Sequence, residues 1–480
     1  MSEELGITVK KSDDFSEWYQ QAVLKAGLAD YAPIKGCMII KPHGFAIWEN
    51  VQKEFDDRFK ETGHENVYFP LFIPENFLKK EAEHFEGFVP EVAWITHGGS
   101  SKLEEKLAIR PTSETIMYSV YAKWIRSYRD LPLLLNQWVN IVRWETSATR
   151  LFLRTREFLW QEGHTAHATK EEADKEVMKI LNVYKDVIED CLAIPVLVGK
   201  KTESEKFAGA LYTTTLEAIM TDGKALQMGT SHNLGQNFSK VFNIKFLDKD
   251  KKEKYVWQTS WGVSTRLIGA LVMAHGDDKG LVLPPKVAPL HVVIVPIVFE
   301  KKKREVLKKA RQIEKKIKEA NYSVKLDDRE EYTPGWKYNE WEMKGVPLRI
   351  EIGPKDIKNR QVIVVRRDNG KKIVVKESKL IKEISEILHD IQKNLYRKAK
   401  KFLKDHITTV KNYEEFKKML VDKKGFIKAY WCGKSDCEEK IKEETGATIR
   451  LIPFKKERVF SNCVCCGKKA KEVVYFAKAY

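Results

Sequence analysis

Hydrophobic and polar positions along the chain predict alternating strands and helices in its second half. Residues 291–298 form a nearly continuous apolar run, which is typical of a buried strand. Residues 300–320 form a charged segment with apolar residues at helical spacing, namely Val306, Ala310, Ile313 and Ile317. Further strands are predicted at 322–326, 348–352 and 361–365, and a second amphipathic helix at 379–393. This alternation predicts a compact α/β domain over residues 288–395.

Two other regions flank this predicted domain. Residues 284–289 contain three prolines and read as a linker, because successive prolines continue neither a helix nor a sheet. We therefore expect a first domain over residues 1–285. A Lys-rich helical stretch at 394–404 is expected to connect the middle domain to a last domain over residues 400–480.

Composition and charge narrow the class of protein. A chain of 480 residues with 43% hydrophobic residues is long enough for two or three domains with real cores. Its formal net charge of +17 favours a polyanionic partner, although a heavily charged, well-solvated surface is an equal alternative. The N-terminus lacks a signal-peptide core and the apolar runs are too short to span a membrane. We expect a soluble, cytoplasmic protein with no membrane partner.

Five of the seven cysteines lie near the C-terminus, whereas Cys37 and Cys191 stand alone. An odd count argues against a disulfide framework. The clustered cysteines form two closely spaced pairs that predict a structural Zn²⁺ site: Cys432 with Cys437, and Cys463 with Cys466. Cys465 is a rival for the last position, and reduced free thiols remain the alternative.

Three segments of the first region carry candidate chemistry. Residues 44–48 and 66–74 predict a long helix that leads into a proline-punctuated strand, which is ordinary when taken alone. Arg143 and Arg154 bracket a loop between two strands, where their guanidinium groups can grip phosphate or carboxylate oxygens. Gly262 lets the backbone pass close to a ligand, and Arg266 then opens an apolar helix.

In this order the three segments resemble motifs 1, 2 and 3 of the class II aminoacyl-tRNA synthetases, and the whole chain is similar to the prolyl-tRNA synthetase family. The resemblance implies an α+β fold with an antiparallel catalytic sheet, an α/β anticodon-binding domain and a small α/β zinc-binding C-terminal domain. It implies that the chain forms prolyl-adenylate from proline and ATP, with Mg²⁺, and then transfers proline to the 3′-terminal ribose of tRNA(Pro). It also implies a homodimer through motif 1.

The resemblance assigns a nucleotide site in which three arginines act in catalysis: Arg143, Arg154 and Arg266. Phe158 and Arg266 are expected to sandwich the adenine. The full set of implied ATP-binding residues is Arg143, Glu145, Arg154, Phe158, Gln227, Thr230, Ser264 and Arg266. The residues that would hold Mg²⁺ are not identified by the sequence.

Residues 110–114 match the loop that binds proline in this family. A secondary ammonium carries two N–H donors and one positive charge, so the Thr112 hydroxyl and the Glu114 carboxylate suit it. The same residues also suit a helix N-terminus, and both interpretations can hold together. The other implied proline-binding residues are Arg143, Trp160, Glu162, His164, His232 and Ser260, with Phe207 expected at the wall.

The remaining expectations concern tRNA and the subtype. Arg329, Trp336, Lys337 and Glu340 are expected where loops meet anticodon bases, although a buried Trp336 at a helix start is equally plausible. Only about one hundred residues separate Glu162 from Gly262, too few for the editing domain of bacterial-type members. With a cysteine-rich tail that ends in Tyr480, the chain resembles the archaeal and eukaryotic-type form. A synthetase for another amino acid and an inactive tRNA-binding relative are the rival hypotheses.

Overall fold

The sheets of the protein fall into three regions of the chain. The computed structural model describes residues 6–82, 92–144 and 148–480. Glu145, one of the predicted ATP-binding residues, lies outside the described residues. No helix in the described part of the chain has the length and apolar character needed to cross a bilayer.

The first region combines helices with a large antiparallel sheet. Its helices are α1 (Phe15–Lys25), α2 (Pro42–Glu61), α3 (Glu75–Ala82), α4 (Glu114–Trp124), α5 (Lys170–Asp190), α6 (Asn237–Val241) and α7 (Arg266–His275). Its strands are β1 (Ala29–Tyr31), β2 (Met38–Ile40), β3 (Glu65–Asn66), β4 (Phe72–Pro74), β5 (Trp94–Gly98), β6 (Ser101–Ile109), β7 (Leu133–Val142), β8 (Glu157–His167), β9 (Leu197–Lys200), β10 (Tyr212–Ile219), β11 (Ala225–Gly235), β12 (Lys245–Leu247), β13 (Glu253–Tyr255) and β14 (Trp257–Ser264).

The main sheet has the strand order β9-β10-β11-β14-β8-β7-β3. Its neighbours are antiparallel except for β3, which pairs parallel with β7. The β7–β8 hairpin runs from Leu133 opposite Ala166 to Val142 opposite Glu157. Side chains alternate between the two faces of each strand, so every second residue of β8 faces the same way.

Helix α5 covers one face of this sheet. It begins with a capping box, in which the Thr169 hydroxyl accepts the Glu172 N–H and the Glu172 carboxylate accepts the Thr169 N–H. Its buried stripe includes Tyr184, whose hydroxyl donates to Gln161 of β8 over 2.7 Å. On the same face, a Cβ on Gly163 would lie 2.1 Å from the Trp261 ring, so only glycine admits this packing. The opposite face is therefore left for polar side chains.

The motif 1 region differs from the prediction. Residues 44–48 lie inside α2, which begins at Pro42, rather than before a helix. The segment predicted as one strand over residues 66–74 divides between two sheets. Its start pairs with β7, whereas β4 pairs with β6 in a separate three-stranded sheet. Pro70 lies between the two strands and Pro74 is the last residue of β4, which suits residues that lack a backbone N–H donor.

The middle region is a five-stranded sheet with helices packed on it. Its strands are β15 (Val292–Pro296), β16 (Val324–Leu326), β17 (Leu348–Ile352), β18 (Gln361–Arg366) and β19 (Lys372–Lys376), and they lie in the order β16-β15-β17-β18-β19. Its helices are α8 (Lys303–Glu319), α9 (Pro334–Met343), α10 (Pro354–Lys358) and α11 (Leu380–Asp405). The predicted apolar face of α8 is buried, which confirms that helix: Val306, Ala310, Ile313 and Ile317.

Helix α11 is longer than predicted. It is one helix of 26 residues, and it joins the amphipathic segment at 379–393 to the Lys-rich stretch at 394–404. Both halves bury apolar residues, including Ile391 and Leu403. The boundary predicted between residues 395 and 400 therefore falls within a continuous helix.

The C-terminal region extends the main sheet. Its elements are β20 (Ile407–Thr409), α12 (Tyr413–Asp422), β21 (Phe426–Trp431), α13 (Ser435–Thr445), β22 (Thr448–Pro453) and β23 (Glu472–Ala477). Ile452 pairs with Lys200 and Pro453 with Gly199, so β22 adds to β9 and the sheet reaches eleven strands. A Cβ on Gly199 would lie 2.3 Å from the Ile452 carbonyl oxygen, which explains the glycine at this junction.

Candidate active site

A cavity of about 290 Å³ opens on the polar face of the main sheet. Strands β8, β14, β11 and β10 form its floor, and the start of α4 and the 201–207 loop form its walls. It is lined by Thr112, Glu114, Arg143, Phe158, Trp160, Glu162, His164, Lys201, Glu205, Lys206, Phe207, Thr213, Gln227, Met228, Gly229, Thr230, His232, Ser260, Trp261, Gly262, Val263, Ser264 and Arg266. This one cavity therefore brings together most of the residues predicted for both substrates.

The start of α4 supplies a carboxylate and a hydroxyl to the cavity. The Thr112 hydroxyl donates to the Glu114 carboxylate, and both side chains are buried. Ser113 occupies the N-cap position of α4 but makes no capping bond, and its hydroxyl and N–H donate to Glu162 instead. The segment is thus a helix start and a wall of the cavity together, as the two open interpretations allowed.

Glu162 is buried and bound by several donors. It accepts hydrogen bonds from Gln137 Nε2 over 2.7 Å and from His164 Nε2 over 2.9 Å, besides those of Ser113. Burial alone would raise the pKa of Glu162, but these donors hold it below its usual value. Conversely, burial would lower the pKa of His164, yet the Glu162 and Glu114 carboxylates raise it above 6.5. The two groups form a buried ion pair.

His232 lies between two threonines. Its Nδ1 is 2.9 Å from the Thr213 hydroxyl and its Nε2 is 3.0 Å from the Thr230 hydroxyl. Burial and, to a smaller extent, the nearby charge of His164 lower its pKa to about 3, so the ring is neutral at pH 7. Phe207 stacks at a tilt on this ring, with centroids 4.8 Å apart. The part of the cavity wall around His232 is therefore aromatic and uncharged.

Three residues that line the cavity have a buried polar group with no hydrogen-bond partner among the described residues. These groups are the hydroxyl of Ser260 and the indole N–H groups of Trp160 and Trp261. Buried polar groups in native proteins are nearly always paired with protein, water or ligand. In the cavity wall, Trp160 and Ser260 can therefore offer hydrogen bonds to a polar ligand.

Arginines occupy the other end of the cavity. The Arg143 guanidinium carbon lies 5.5 Å from the Trp160 ring and 5.8 Å from the Phe158 ring, and its Nε donates to the Pro111 carbonyl over 3.1 Å. Arg266 begins α7, where burial and then the positive charge of Arg143 lower its pKa to about 10. Two like charges held together in a partly buried site favour an anionic ligand.

The predicted nucleotide residues are distributed unevenly. Phe158, Gln227, Thr230 and Ser264 line the cavity together with Arg143 and Arg266. Arg154 is exposed on the loop between β7 and β8 and does not line the cavity. Sequence reasoning missed Lys201, Glu205, Lys206 and Thr213 as lining residues. Only the pairing of β10 with β9 and β11 brings them here, and no local motif signals it.

The four predicted cysteines lie together in the C-terminal region. The sulfur atoms of Cys432, Cys437, Cys463 and Cys466 all lie within 4.8 Å of one another. Three of these cysteines are buried and Cys466 is exposed, whereas Cys465 is not part of the group. Four thiols at this separation can close a tetrahedral shell around Zn²⁺.

The residues predicted to meet the anticodon cluster around Asp327. Arg329 donates to both Asp327 oxygens over 2.8 Å and also to Glu340, while the buried Lys337 donates to the Asp327 carbonyl. Trp336 is half-buried in the first turn of α9 and stacks on Tyr332, with centroids 3.8 Å apart. An aromatic pair beside an arginine offers a stacking surface to unpaired bases.

An antiparallel sheet with a helix on one face and an arginine-rich nucleotide cavity on the other defines a class II aminoacyl-tRNA synthetase. Residues 95–275 match the family model described as tRNA synthetase class II core domain (G, H, P, S and T), and residues 291–387 match the anticodon binding domain. Residues 413–480 match the model described as prolyl-tRNA synthetase, C-terminal. The chain belongs to the prolyl-tRNA synthetase family.

Similar proteins cover nearly the whole chain. A proline–tRNA ligase of Natranaerobius thermophilus is 57% identical over 472 residues, which are 98% of this chain and 97% of the relative. Proline–tRNA ligase 2 of Clostridioides difficile is 56% identical over 471 residues, with the same coverage. The crystal structure of prolyl-tRNA synthetase from Cryptosporidium parvum, complexed with halofuginone and AMPPNP, is 47% identical with a TM-score of 0.95; the match covers 99% of this chain and 100% of that one.

The raised pKa of His164 predicts a pH-dependent contribution to stability. The stability from the His164–Glu162 pair is present below pH 6.5 as long as Glu162 is ionised, and it is lost as the pH rises through the raised pKa of His164. We expect His164→Gln to lower the free energy of unfolding by about 1–3 kcal/mol near pH 6 and by less near pH 9. Urea denaturation at several pH values measures the difference.

The exposed His389 provides the control, since His389→Gln should leave the wild-type value unchanged at each pH. A loss with His164→Gln that stays constant from pH 6 to pH 9 would contradict the ion pair.

Proposed function

We propose that the chain activates proline with ATP and then transfers the prolyl group to tRNA(Pro). The observation that carries this proposal is the single cavity, in which the Thr112–Glu114 pair lies at one end and Arg143, Phe158 and Arg266 at the other. An ammonium site and a phosphate site in one cavity suit a reaction between an amino acid and a nucleotide.

At the first end, the Glu114 carboxylate and the Thr112 hydroxyl bind the secondary ammonium of proline. The carboxylate supplies the opposite charge, and the hydroxyl accepts the second N–H. Trp160, Phe207 and the neutral His232 enclose the flat ring, while Ser260 and the Trp160 indole supply unpaired polar groups. Glu162 and His164 hold Ser113 and hence the start of α4 in place.

At the other end, Phe158 and Arg266 sandwich the adenine, and Gln227, Thr230 and Ser264 line the nucleotide site. Arg143, which contacts Trp160 as well as Phe158, binds both the proline carboxylate and the α-phosphate. The carboxylate oxygen attacks the α-phosphorus, the bond to the bridging oxygen breaks, and pyrophosphate leaves. Positioning and arginine charge supply the catalysis, without an enzyme nucleophile. Mg²⁺ neutralises phosphate charge in such reactions.

In the second step, a hydroxyl of the 3′-terminal ribose of tRNA attacks the prolyl carbonyl carbon and AMP leaves. Arg154, which is exposed on the β7–β8 loop, binds phosphate oxygens of the nucleotide in this proposal. The anticodon bases bind in the middle region, on the surface formed by the Tyr332–Trp336 stack and Arg329.

ATP–pyrophosphate exchange with each of the twenty amino acids tests the first step. We expect exchange that depends on proline, and we expect Glu114→Ala to lower kcat/KM for proline roughly 30- to 100-fold, because a charged hydrogen-bond partner is lost. The affinity for tRNA should stay nearly unchanged. Glu319→Ala, which removes an exposed carboxylate from α8, is the matched control.

The outcomes separate the rival hypotheses. Exchange with a different amino acid would keep the synthetase class and reject proline as the substrate. No exchange from folded protein would favour an inactive tRNA-binding relative. Equal losses of proline activation and tRNA affinity in Glu114→Ala would mean that the loop at 110–114 is only structural.

We also propose that Cys432, Cys437, Cys463 and Cys466 bind a structural Zn²⁺, because four thiolates leave no open coordination position. Cys466→Ser should lower the metal content below one Zn²⁺ per chain and lower Tm by about 5 °C. Elemental analysis and thermal unfolding measure both. Cys465→Ser should change neither, and a loss of zinc in that variant alone would reject this set of ligands.

A homodimer is proposed from an exposed apolar surface in the motif 1 region. Phe72 of β4 is 46% exposed, and Tyr68, four residues earlier in the chain, is 74% exposed. Large apolar side chains at a surface favour a protein interface.

Sedimentation velocity tests the homodimer. We expect a dimer for the wild type and a shift toward monomer for Phe72→Glu, because a buried unpaired charge opposes association. Phe460→Glu, at another exposed phenylalanine, should remain dimeric. A wild-type monomer at micromolar concentration would reject the proposal.

The chain is also proposed to be of the archaeal and eukaryotic-type form without an editing insertion. Between β8 and β14 the described elements are α5, β9 to β13 and α6. Strands β9, β10 and β11 belong to the main sheet, and β12 and β13 pair with each other. The near-complete match to the Cryptosporidium structure supports this assignment. A cytoplasmic location fits a synthetase with free cysteines.

A further inference from the structure

A buried group of three charges joins the C-terminal region to the floor of the active site. Arg450 of β22 donates from Nε and Nη2 to the two oxygens of Glu217 on β10, over 3.1 and 3.0 Å. Lys201 donates from Nζ to Glu217 over 2.8 Å and to the Arg450 carbonyl over 3.0 Å. The side chains are 9%, 0% and 2% exposed, in the order Arg450, Glu217 and Lys201.

The charges of this group do not cancel. Two cations share one carboxylate, so one buried positive charge remains. Burial would raise the pKa of Glu217, but Lys201 and Arg450 hold it below its usual value, so the carboxylate stays ionised. A buried charge without a full counter-charge is costly unless a ligand or another charge completes it.

The remaining charge faces the cavity through Lys201, which is one of the lining residues. Arg450 donates to both oxygens of Glu217, so Lys201 shares this carboxylate with Arg450. Two of the three ammonium N–H groups of Lys201 are used, and a third is left for a ligand. Glu205 and Lys206 also line this wall; Lys206 pairs with Glu203 over 2.6 Å, and Glu205 acts on the Lys201 charge less strongly than Glu217 does.

The group adjoins the nucleotide end of the cavity. Glu217 lies opposite Gln227 in the β10–β11 ladder, and Thr215 lies opposite Thr230. The charges of Glu217 and Arg450 both act on Arg266, after the larger effects of burial and of Arg143. The side chains around the nucleotide end of the cavity therefore carry mainly positive charge.

We propose that Arg450 is a positioning residue for nucleotide binding: because it binds Glu217 together with Lys201, it leaves part of the Lys201 charge uncompensated, and this charge attracts the phosphates of ATP. The C-terminal region therefore contributes to the active site through a charge as well as through sheet pairing. This proposal deepens the proposed function and rests on its nucleotide site. It differs from the zinc proposal, because Arg450 acts through β10 and not through the thiols.

Isothermal titration calorimetry with ATP and Mg²⁺, in the absence of proline, tests the proposal on the full chain. Arg450→Met keeps the length of the side chain but lets Glu217 neutralise Lys201, so Kd for ATP should rise roughly tenfold. Arg450→Lys keeps the charge and should stay within about threefold of the wild type. Kd for proline should not change in either variant.

Arg458→Met is the matched control, because Arg458 is an exposed arginine of the same region and its loss changes the net charge equally. Its Kd for ATP should equal that of the wild type. A second variant, Lys201→Met, leaves the Arg450–Glu217 pair intact and should weaken ATP binding at least as much as Arg450→Met. Thermal unfolding identifies which variants are folded.

Unchanged ATP binding in folded Arg450→Met, or in folded Lys201→Met if the first variant does not fold, would overturn the proposal. Equal weakening in Arg450→Met and Arg450→Lys would overturn it as well, because geometry rather than charge would then matter. Proline-dependent pyrophosphate exchange by the wild type decides the proposed function separately, since ATP binding is measured without proline.

Discussion

The register between β8, β14 and β11 is the constraint on which the active site depends. His164 lies opposite Ser260, Ser260 opposite His232, and Glu162 opposite Gly262. Because side chains alternate between faces, this register directs all of them toward one cavity and directs residues such as Trp261 into the core. A slip of one residue in any of these ladders would exchange the two sets of side chains. The packing of the core face therefore also fixes which side chains face the cavity.

Charge divides the cavity into two ends. Carboxylates predominate at the start of α4, where Glu114 and Glu162 lie close to His164. Arginines predominate where β7 ends and α7 begins, and the lowered pKa of Arg266 reflects both burial and the neighbouring Arg143. An ammonium and a triphosphate would each be bound at the end of opposite sign, and the reacting carboxylate and α-phosphate would then meet between them.

The long sheet explains how distant parts of the sequence share this site. Strand β22 pairs with β9 about 250 residues away in the chain, and Gly199 permits that contact. The pairing places Arg450 beside Glu217, so a region that also carries the cysteine cluster becomes an extension of the catalytic sheet. The C-terminal region therefore influences the charge at the nucleotide end of the cavity.

Local pattern was enough to predict several elements, because their causes lie within a few residues. The buried face of α8, the strands near residues 292, 348 and 361, and the helix that begins at Arg266 follow from apolar spacing and from glycine and proline. The resemblance identified the family and the residues that line most of the cavity. It could not show that α11 is continuous, because one amphipathic helix and two successive ones have the same periodicity.

The sequence by itself determined the family, the positions of the three motifs and the pair of cysteine spacings, since these depend on residue identity and short separations. The tertiary structure alone decided that Lys201 and Thr213 line the cavity, that Cys466 rather than Cys465 joins the thiol group, and that Arg450 reaches Glu217. Each of these contacts depends on strand register or chain path between distant segments. No local pattern encodes such a contact, because its free energy arises only when both segments are in place.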